Sequence, residues 1–259
     1  MKNLRDRVSL LASLAVLLLC LGSTNAAAEK ARVATAANFT STAEKLISAF
    51  QASHPDHEIS LITGSTGKIF AQILHGAPFD IFLSADRQRP EELVKRDLVA
   101  QANRFTYASG LLALWTTDPS LNQDNLADVL KNGRFRKLAI ANPELAPYGN
   151  AAMKLIYDLK LIEDVRERLV MGENVGQTYA LVASGNAELG FIALSQTLDP
   201  NALGKGKIWK VPSNLHEPVA QDAVLLQRAS NNPAALAFFE YLQSEDAKNI
   251  IRNAGYDVE

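Results

Sequence analysis

Cysteine is all but missing from this chain: among its 259 residues the only one is Cys20. It sits inside an apolar leader, so a disulfide framework, a thiolate metal site and a cysteine nucleophile are excluded together from the chain beyond that leader. Histidine is scarce as well, with His54, His57, His75 and His216. His54 and His57 flank Pro55 and Asp56 and read as a solvated surface turn, not as a metal site. There is no G-x-S-x-G nucleophile elbow, and no acidic pair stands where strands meet helices to serve as general acid and base. Asp80 and Asp86 bracket a strand and read as turn and cap residues. The six tyrosines are scattered along the chain, against the cluster that a tyrosine-ligated iron needs. A formal charge of −2 leaves no basic footprint for nucleic acid.

Apolar runs long enough to cross a membrane are also absent after the first 28 residues. The one at the start, residues 8–21, follows Lys2, Arg5 and Arg7 and leads into Ala26-Ala27-Ala28. That is the three-part layout of a secretory signal, and the run is shorter than the roughly 20 residues a membrane-spanning helix requires. Cleavage is expected before Glu29, giving a signal peptide over 1–28. Its removal takes three of the 26 basic and one of the 28 acidic residues and leaves 23 against 27, a formal charge of −4.

What is there is an alternation of short β-like runs and longer helical ones. Residues 32–36 read as a strand, and 40–53 as a helix with Ala43, Leu46, Ile47 and Phe50 on one face. Strand 58–62, helix 67–75 and strand 80–84 follow, and three βα units in a row imply a parallel sheet covered by helices. Residues 107–115 read as a strand that leaves a first lobe and enters a second. The second lobe continues with helix 126–130, strand 137–141, helices 149–159 and 176–183, and strand 189–194. Residues 223–226 read as a return strand, and helices 234–243 and 245–253 close the chain. This gives one lobe over 29–110 and 222–259, another over 111–221, and two crossings that form a hinge around a cleft.

In open parallel sheets, ligands sit beyond the carboxyl ends of the strands, where helix N-termini present unpaired N–H groups. Four such junctions stand out: Ala36 to Thr40, Thr63 to Lys68, Asn142 to Asn150, and Gly172 to Thr178. They supply small residues, amides, hydroxyls and glycines. Singly, Asn38, Ser65 and Thr66 are explained as helix N-caps; four junctions divided between two lobes point instead to a neutral, donor-rich cleft. The Gly64-Ser65-Thr66-Gly67-Lys68 loop is not a nucleotide phosphate loop, because two residues, not four, separate its glycines and Ile69 follows the lysine.

Those junctions, together with Gly76-Ala77-Pro78-Phe79-Asp80-Ile81-Phe82-Leu83-Ser84-Ala85-Asp86, make the chain resemble the periplasmic molybdate-binding proteins over essentially its whole length after the signal. The resemblance implies an α/β, two-lobed periplasmic binding protein-like fold (type II), each lobe a mixed, mainly parallel sheet flanked by helices. It implies a periplasmic monomer that is not an enzyme, has no cofactor and no bare metal ion, and binds molybdate or tungstate as the oxyanion. The partner it implies is the membrane permease of an ABC importer, with no nucleic acid and no stable membrane insertion. Carried onto this sequence, the ligand positions fall on Ala37, Asn38, Ser65, Thr66, Tyr148 and Val175. Two positions depart from the pattern: Ala37 stands where some members carry a hydroxyl, and Ala193 where one branch carries a tyrosine. The alternatives are a receptor for sulfate, phosphate or chromate and, from another class, a periplasmic hydrolase.

Overall fold

The structure, a computed structural model, describes residues 29–121, 123–198, 206–212, 214–216 and 218–258. The expected signal peptide, with Cys20, lies outside the described residues.

Two five-stranded sheets form the framework. The first has the order β2-β1-β3-β10-β4, built from β1 (Glu29–Ala36), β2 (His57–Gly64), β3 (Ile81–Leu83), β4 (Arg104–Gly110) and β10 (Val219–Leu225). β1 runs parallel to β2 and β3, and β10 is antiparallel to both β3 and β4. The second has the order β7-β6-β8-β5-β9, from β5 (Leu112–Thr116), β6 (Leu138–Ala141), β7 (Leu169–Gly172), β8 (Leu189–Ala193) and β9 (Lys207–Lys210). Here β6 is parallel to β7 and β8, while β5 is antiparallel to β8 and β9. Helices flank both sheets, and the molecule is two-lobed.

Each element follows from its residues. The side chains of β1 and β3 alternate across the sheet. Val33, Ile81 and Leu83 enter a core with Phe39, Leu46 and Phe50 of α1 (Thr40–Ser53) and its entry turn, and with Phe238 of α8 (Pro233–Tyr241) and Ile251 of α9 (Glu245–Asn253). Ala34 and Phe82 face the other way, onto Ile69 and Ile73 of α2 (Thr66–Leu74) and Leu93 of α3 (Gln88–Lys95). The second lobe packs Leu114, Leu138, Ile140 and Phe191 against α4 (Leu126–Asn132), α5 (Pro147–Asp158) and α7 (Val175–Ala183), with α6 (Ile162–Val165) at its edge. Burying a side chain such as Phe82 or Phe191 contributes about 1.5–3 kcal/mol.

Residues 107–115, expected as one strand, are two. β4 ends at Gly110 and β5 begins at Leu112, because the chain changes sheets there and Leu111 turns its carbonyl to the N–H of Leu194, 2.9 Å away. Two strands and two α-helices were not expected at all. β7 is a half-exposed edge strand whose apolar signal is weak; β9 is the lysine-bounded run Lys207-Ile208-Trp209-Lys210. α3 is mostly polar and α6 is only one turn long. Such elements form because the neighbouring sheet accepts them, and local propensity alone does not announce them.

Candidate functional site

The carboxyl ends of the central parallel strands of both sheets meet across the cleft. A small cavity of about 10 Å³ lies between them, lined on one side by Ala36, Ala37, Asn38, Ser65, Thr66 and Ala85, and on the other by Ala146, Pro147, Tyr148, Asn174 and Val175. All six sequence-expected positions, Ala37, Asn38, Ser65, Thr66, Tyr148 and Val175, are therefore brought together. Asn174, Ala146, Pro147 and Ala36, all within the four junctions, join them, as does Ala85 from the segment after β3.

Four helical starts converge on this cavity. Ala37 opens a single 3-10 turn, Ala37–Phe39; Thr66 is the first residue of α2, and Val175 the first of α7. α5 begins at Pro147, which has no N–H to give, so Tyr148 and Gly149 hold its leading donors. The opening N–H groups of a helix have no intrahelical acceptor and carry the positive end of its dipole. α5 is seated tightly on the end of β6: a Cβ on Gly149 would stand 2.1 Å from the Ala141 carbonyl oxygen. No Lys, Arg, Asp or Glu lines the cavity among the described residues.

The side chains differ in what they have left to give. Ser65 occupies the N-cap position of α2, yet its hydroxyl makes no capping bond. It is 1% exposed, and its Oγ is buried without a hydrogen-bond partner among the described residues. The helix-cap explanation therefore fails for Ser65. Thr66 Oγ1 accepts the Ala85 N–H at 3.2 Å, which turns a lone pair to the protein and leaves the hydroxyl hydrogen to be donated elsewhere. Asn174 does act as a cap, accepting from the Gln177 N–H at 3.0 Å.

Asn38 is spent differently. Its Nδ2 donates to Gln221 Oε1 at 2.9 Å and to the Tyr256 hydroxyl at 3.1 Å, so both amide hydrogens already have acceptors. Gln221 Oε1 also accepts from the Tyr107 hydroxyl at 3.0 Å, and Gln221 Nε2 donates to the Tyr148 hydroxyl at 3.3 Å. Tyr256 donates to the Asn38 carbonyl at 2.7 Å and accepts from Ser195 Oγ at 2.8 Å. The tyrosines look scattered in sequence, but three of them converge here. Burial holds their phenols neutral: it pushes Tyr107 and Tyr148 well above the usual range and Tyr256 up to about 12. They serve as hydrogen-bonding hydroxyls within one buried network.

The lobes also touch at the rim. Gly67 N–H donates to the Leu145 carbonyl at 2.8 Å, Lys68 Nζ pairs with Glu173 at 3.0 Å, and Arg89 donates to the Glu144 carbonyl at 2.9 Å. Lys68 thus turns away from the cavity. A larger cleft of about 890 Å³ shares Ala85 and Pro147 with the cavity, but its arginines and lysine are matched by carboxylates: Arg87 by Asp222, Arg89 by Asp86, Lys154 by Asp158. Asp80 and Asp86 prove structural. Asp80 accepts from the Arg32 N–H and pairs with Arg228, and Asp86 caps α3 through the Arg89 N–H. Ala193 lies buried at the end of β8 and is not part of the lining.

Two lobes, two strand crossings and an uncharged cavity walled by helix starts define a solute receptor of the two-lobed periplasmic binding type. The chain belongs to the bacterial extracellular solute-binding proteins, whose family model matches residues 31–257. It is 43% identical over 234 residues to the molybdate-binding protein ModA of Azotobacter vinelandii, covering 90% of this chain and 92% of that one. With the molybdate-binding protein ModA of Rhodobacter capsulatus it shares 40% identity over 234 residues, 90% of each chain. The solved periplasmic molybdate-binding protein of Azotobacter vinelandii superposes with a TM-score of 0.83 at 38% identity, covering 88% of this chain and 99% of that one. The sulfate-binding protein SubI of Mycobacterium tuberculosis, 12% identical with a TM-score of 0.74 over 89% of this chain and 87% of its own, shares the fold.

Proposed function

We propose that this protein is a periplasmic receptor that binds molybdate, and tungstate equally, as the bare oxyanion and delivers it to the membrane permease of an ABC importer. The observation that carries the reading is the buried, unpartnered Ser65 hydroxyl in a cavity walled by helix starts from both lobes. A buried polar group left unpaired costs about 1–3 kcal/mol, and a ligand that only accepts hydrogen bonds relieves it. The relatives at 43% and 40% identity named for molybdate binding support the choice of anion.

Molybdate at neutral pH is a fully deprotonated tetrahedral dianion. Removing its water costs tens of kcal/mol in the Born limit, and each charge-assisted hydrogen bond returns roughly 1.5–3 kcal/mol, so several donors must converge. In this reading they are the backbone N–H groups of Ala37, Asn38, Tyr148 and Val175 and the hydroxyls of Ser65 and Thr66. Ala37 has no hydroxyl and Asn38 no amide hydrogen to spare, so the first turn contributes through its backbone alone. The helix dipoles add positive potential without a buried cation. Phosphate keeps a proton near neutral pH; that proton finds no carboxylate among the lining residues and meets a donor instead. No step of bond making or breaking is required of any residue.

Thermal unfolding with equimolar molybdate, tungstate, sulfate and phosphate tests the assignment. At a thousandfold excess over Kd a ligand stabilises by about 4 kcal/mol, which for a chain of this size raises the midpoint by roughly 8–16 °C. Molybdate and tungstate should give such shifts and phosphate none; a largest shift with sulfate or phosphate contradicts the proposal.

The Lys68–Glu173 pair spans the lobes but is half-exposed, and such pairs contribute at most about 1 kcal/mol. Lys68→Ala should therefore speed anion release by no more than about fivefold, an effect that fades at high salt, as stopped-flow fluorescence can measure. A hundredfold change would place Lys68 on the anion.

A further inference from the structure

We propose that Gln221 is a positioning residue: it fixes the distance between the two halves of the anion site and thereby sets how sharply the site separates tetrahedral anions of different size. This rests on the reading of the cavity as an oxyanion site and deepens it.

Gln221 is fully buried on β10, one of the strands adjoining the crossing between lobes. The pairing of β10 with β4 slips between Gln221 and Asp222, and such an irregularity re-aims a side chain out of the regular alternation. Its amide has two unlike ends, and each holds a different lobe. The carbonyl accepts from Asn38, in the turn that lines the first-lobe side of the cavity, at 2.9 Å. The NH2 group donates to Tyr148, the second residue of α5, on the opposite side, at 3.3 Å. One side chain therefore links the two anion-facing segments without lining the cavity itself. Tyr256 holds Asn38 from its other side and is tied in turn to Ser195 beyond β8.

The consequence for selectivity is geometric. Sulfate and molybdate carry the same charge and shape and differ in size, so a donor shell distinguishes them only if it cannot contract around the smaller ion. Helix starts on two hinged lobes are free to contract unless something sets their separation. A buried chain of satisfied hydrogen bonds does so, because closing further or twisting would break bonds that water cannot replace. Methionine has nearly the length of glutamine and neither of its polar ends.

The test is titration calorimetry of wild type, Gln221→Met and Tyr148→Phe with molybdate and sulfate, alongside the thermal midpoint of each unliganded protein. Tyr148→Phe keeps the backbone donor and cuts the link at its second-lobe end. Both variants should lose molybdate affinity by about tenfold, the size of one buried hydrogen bond, while sulfate affinity falls less or rises, so the molybdate-to-sulfate ratio narrows. A merely structural glutamine lowers the midpoint and weakens both anions alike; folded variants with the wild-type ratio overturn the proposal. Should Gln221→Met fail to fold, Tyr148→Phe decides alone. If wild type binds neither anion, the oxyanion reading itself has failed, and that is visible before any variant is compared.

Discussion

Ser65→Ala should weaken molybdate binding by about 1.5–3 kcal/mol, roughly tenfold to a hundredfold, without lowering the thermal midpoint of the unliganded protein. The two effects separate because Ser65 Oγ does nothing for the fold. It occupies the cap position of α2 but makes no capping bond, and it has no other partner among the described residues. An ordinary N-cap serine replaced by alanine destabilises by about 0.5–2 kcal/mol; here that loss has already been taken. Calorimetric titration and a melting curve on the same sample give both quantities. A variant that melts lower and binds normally would return Ser65 to the role of a cap. Thr66→Ala should weaken binding as well, but at some cost to the fold, because Thr66 Oγ1 accepts the Ala85 N–H. Asn38→Ala should act through the hydrogen bonds to Gln221 and Tyr256 and not through a lost contact to the anion.

A larger effect is expected from Gly110→Ala, which should reduce molybdate affinity at least about a hundredfold while leaving a folded, open protein. Gly110 ends β4 where the chain crosses between lobes, and a Cβ there would stand 1.9 Å from the Tyr148 hydroxyl and 2.8 Å from Gln221 Nε2. Among the described residues Gly76, Gly185 and Gly255 are the glycines with left-handed backbones, and Gly110 is not one of them, so alanine meets no conformational penalty. The larger collision, with the Tyr148 hydroxyl of the other lobe, exists only with the lobes closed, while the looser one with Gln221, on the strand paired with β4, is present in either state. Overpacking typically costs about 1–3 kcal/mol and occasionally more; an approach of 1.9 Å belongs at or above the top of that range, and it falls on the closed state. Small-angle scattering should show that saturating molybdate contracts wild type but not the variant. Contraction of Gly110→Ala on adding anion would show that Tyr148 moves aside and that the hinge network is soft.

Much of the site was legible because its chemistry is local. Helix starts at the ends of parallel strands follow from periodicity, and the residues at those starts are fixed by the sequence once the strands are placed. Hence Ala37, Ser65, Thr66, Tyr148 and Val175 could be named from the four junctions and the family resemblance, and they do line one cavity. What stayed hidden is what depends on distance in the chain. Asn38 and Gln221 are 183 residues apart and Asn38 and Tyr256 are 218 apart, so nothing at Asn38 reveals that its amide is committed. The polar pair Gln221-Asp222 beside the apolar Ala223-Val224-Leu225-Leu226 run was the available signal, since a glutamine on a central strand needs buried partners. Gly110 sat in plain view within an apolar stretch that reads as continuous, and only the neighbouring Tyr148 explains why no side chain is allowed there. The polar α3 and the single-turn α6 were missed for the complementary reason: their stability comes from the sheets they cover.

The most direct test of the central claim is a crystal structure of the protein with molybdate bound. A tetrahedral ion should lie between the lobes, met by the hydroxyls of Ser65 and Thr66 and by backbone N–H groups at Ala37, Asn38, Tyr148 and Val175, with every lysine and arginine nitrogen beyond hydrogen-bonding distance. An anion held by Lys68, Arg87 or Arg89, or seated in the larger charged cleft beside the cavity, would contradict it.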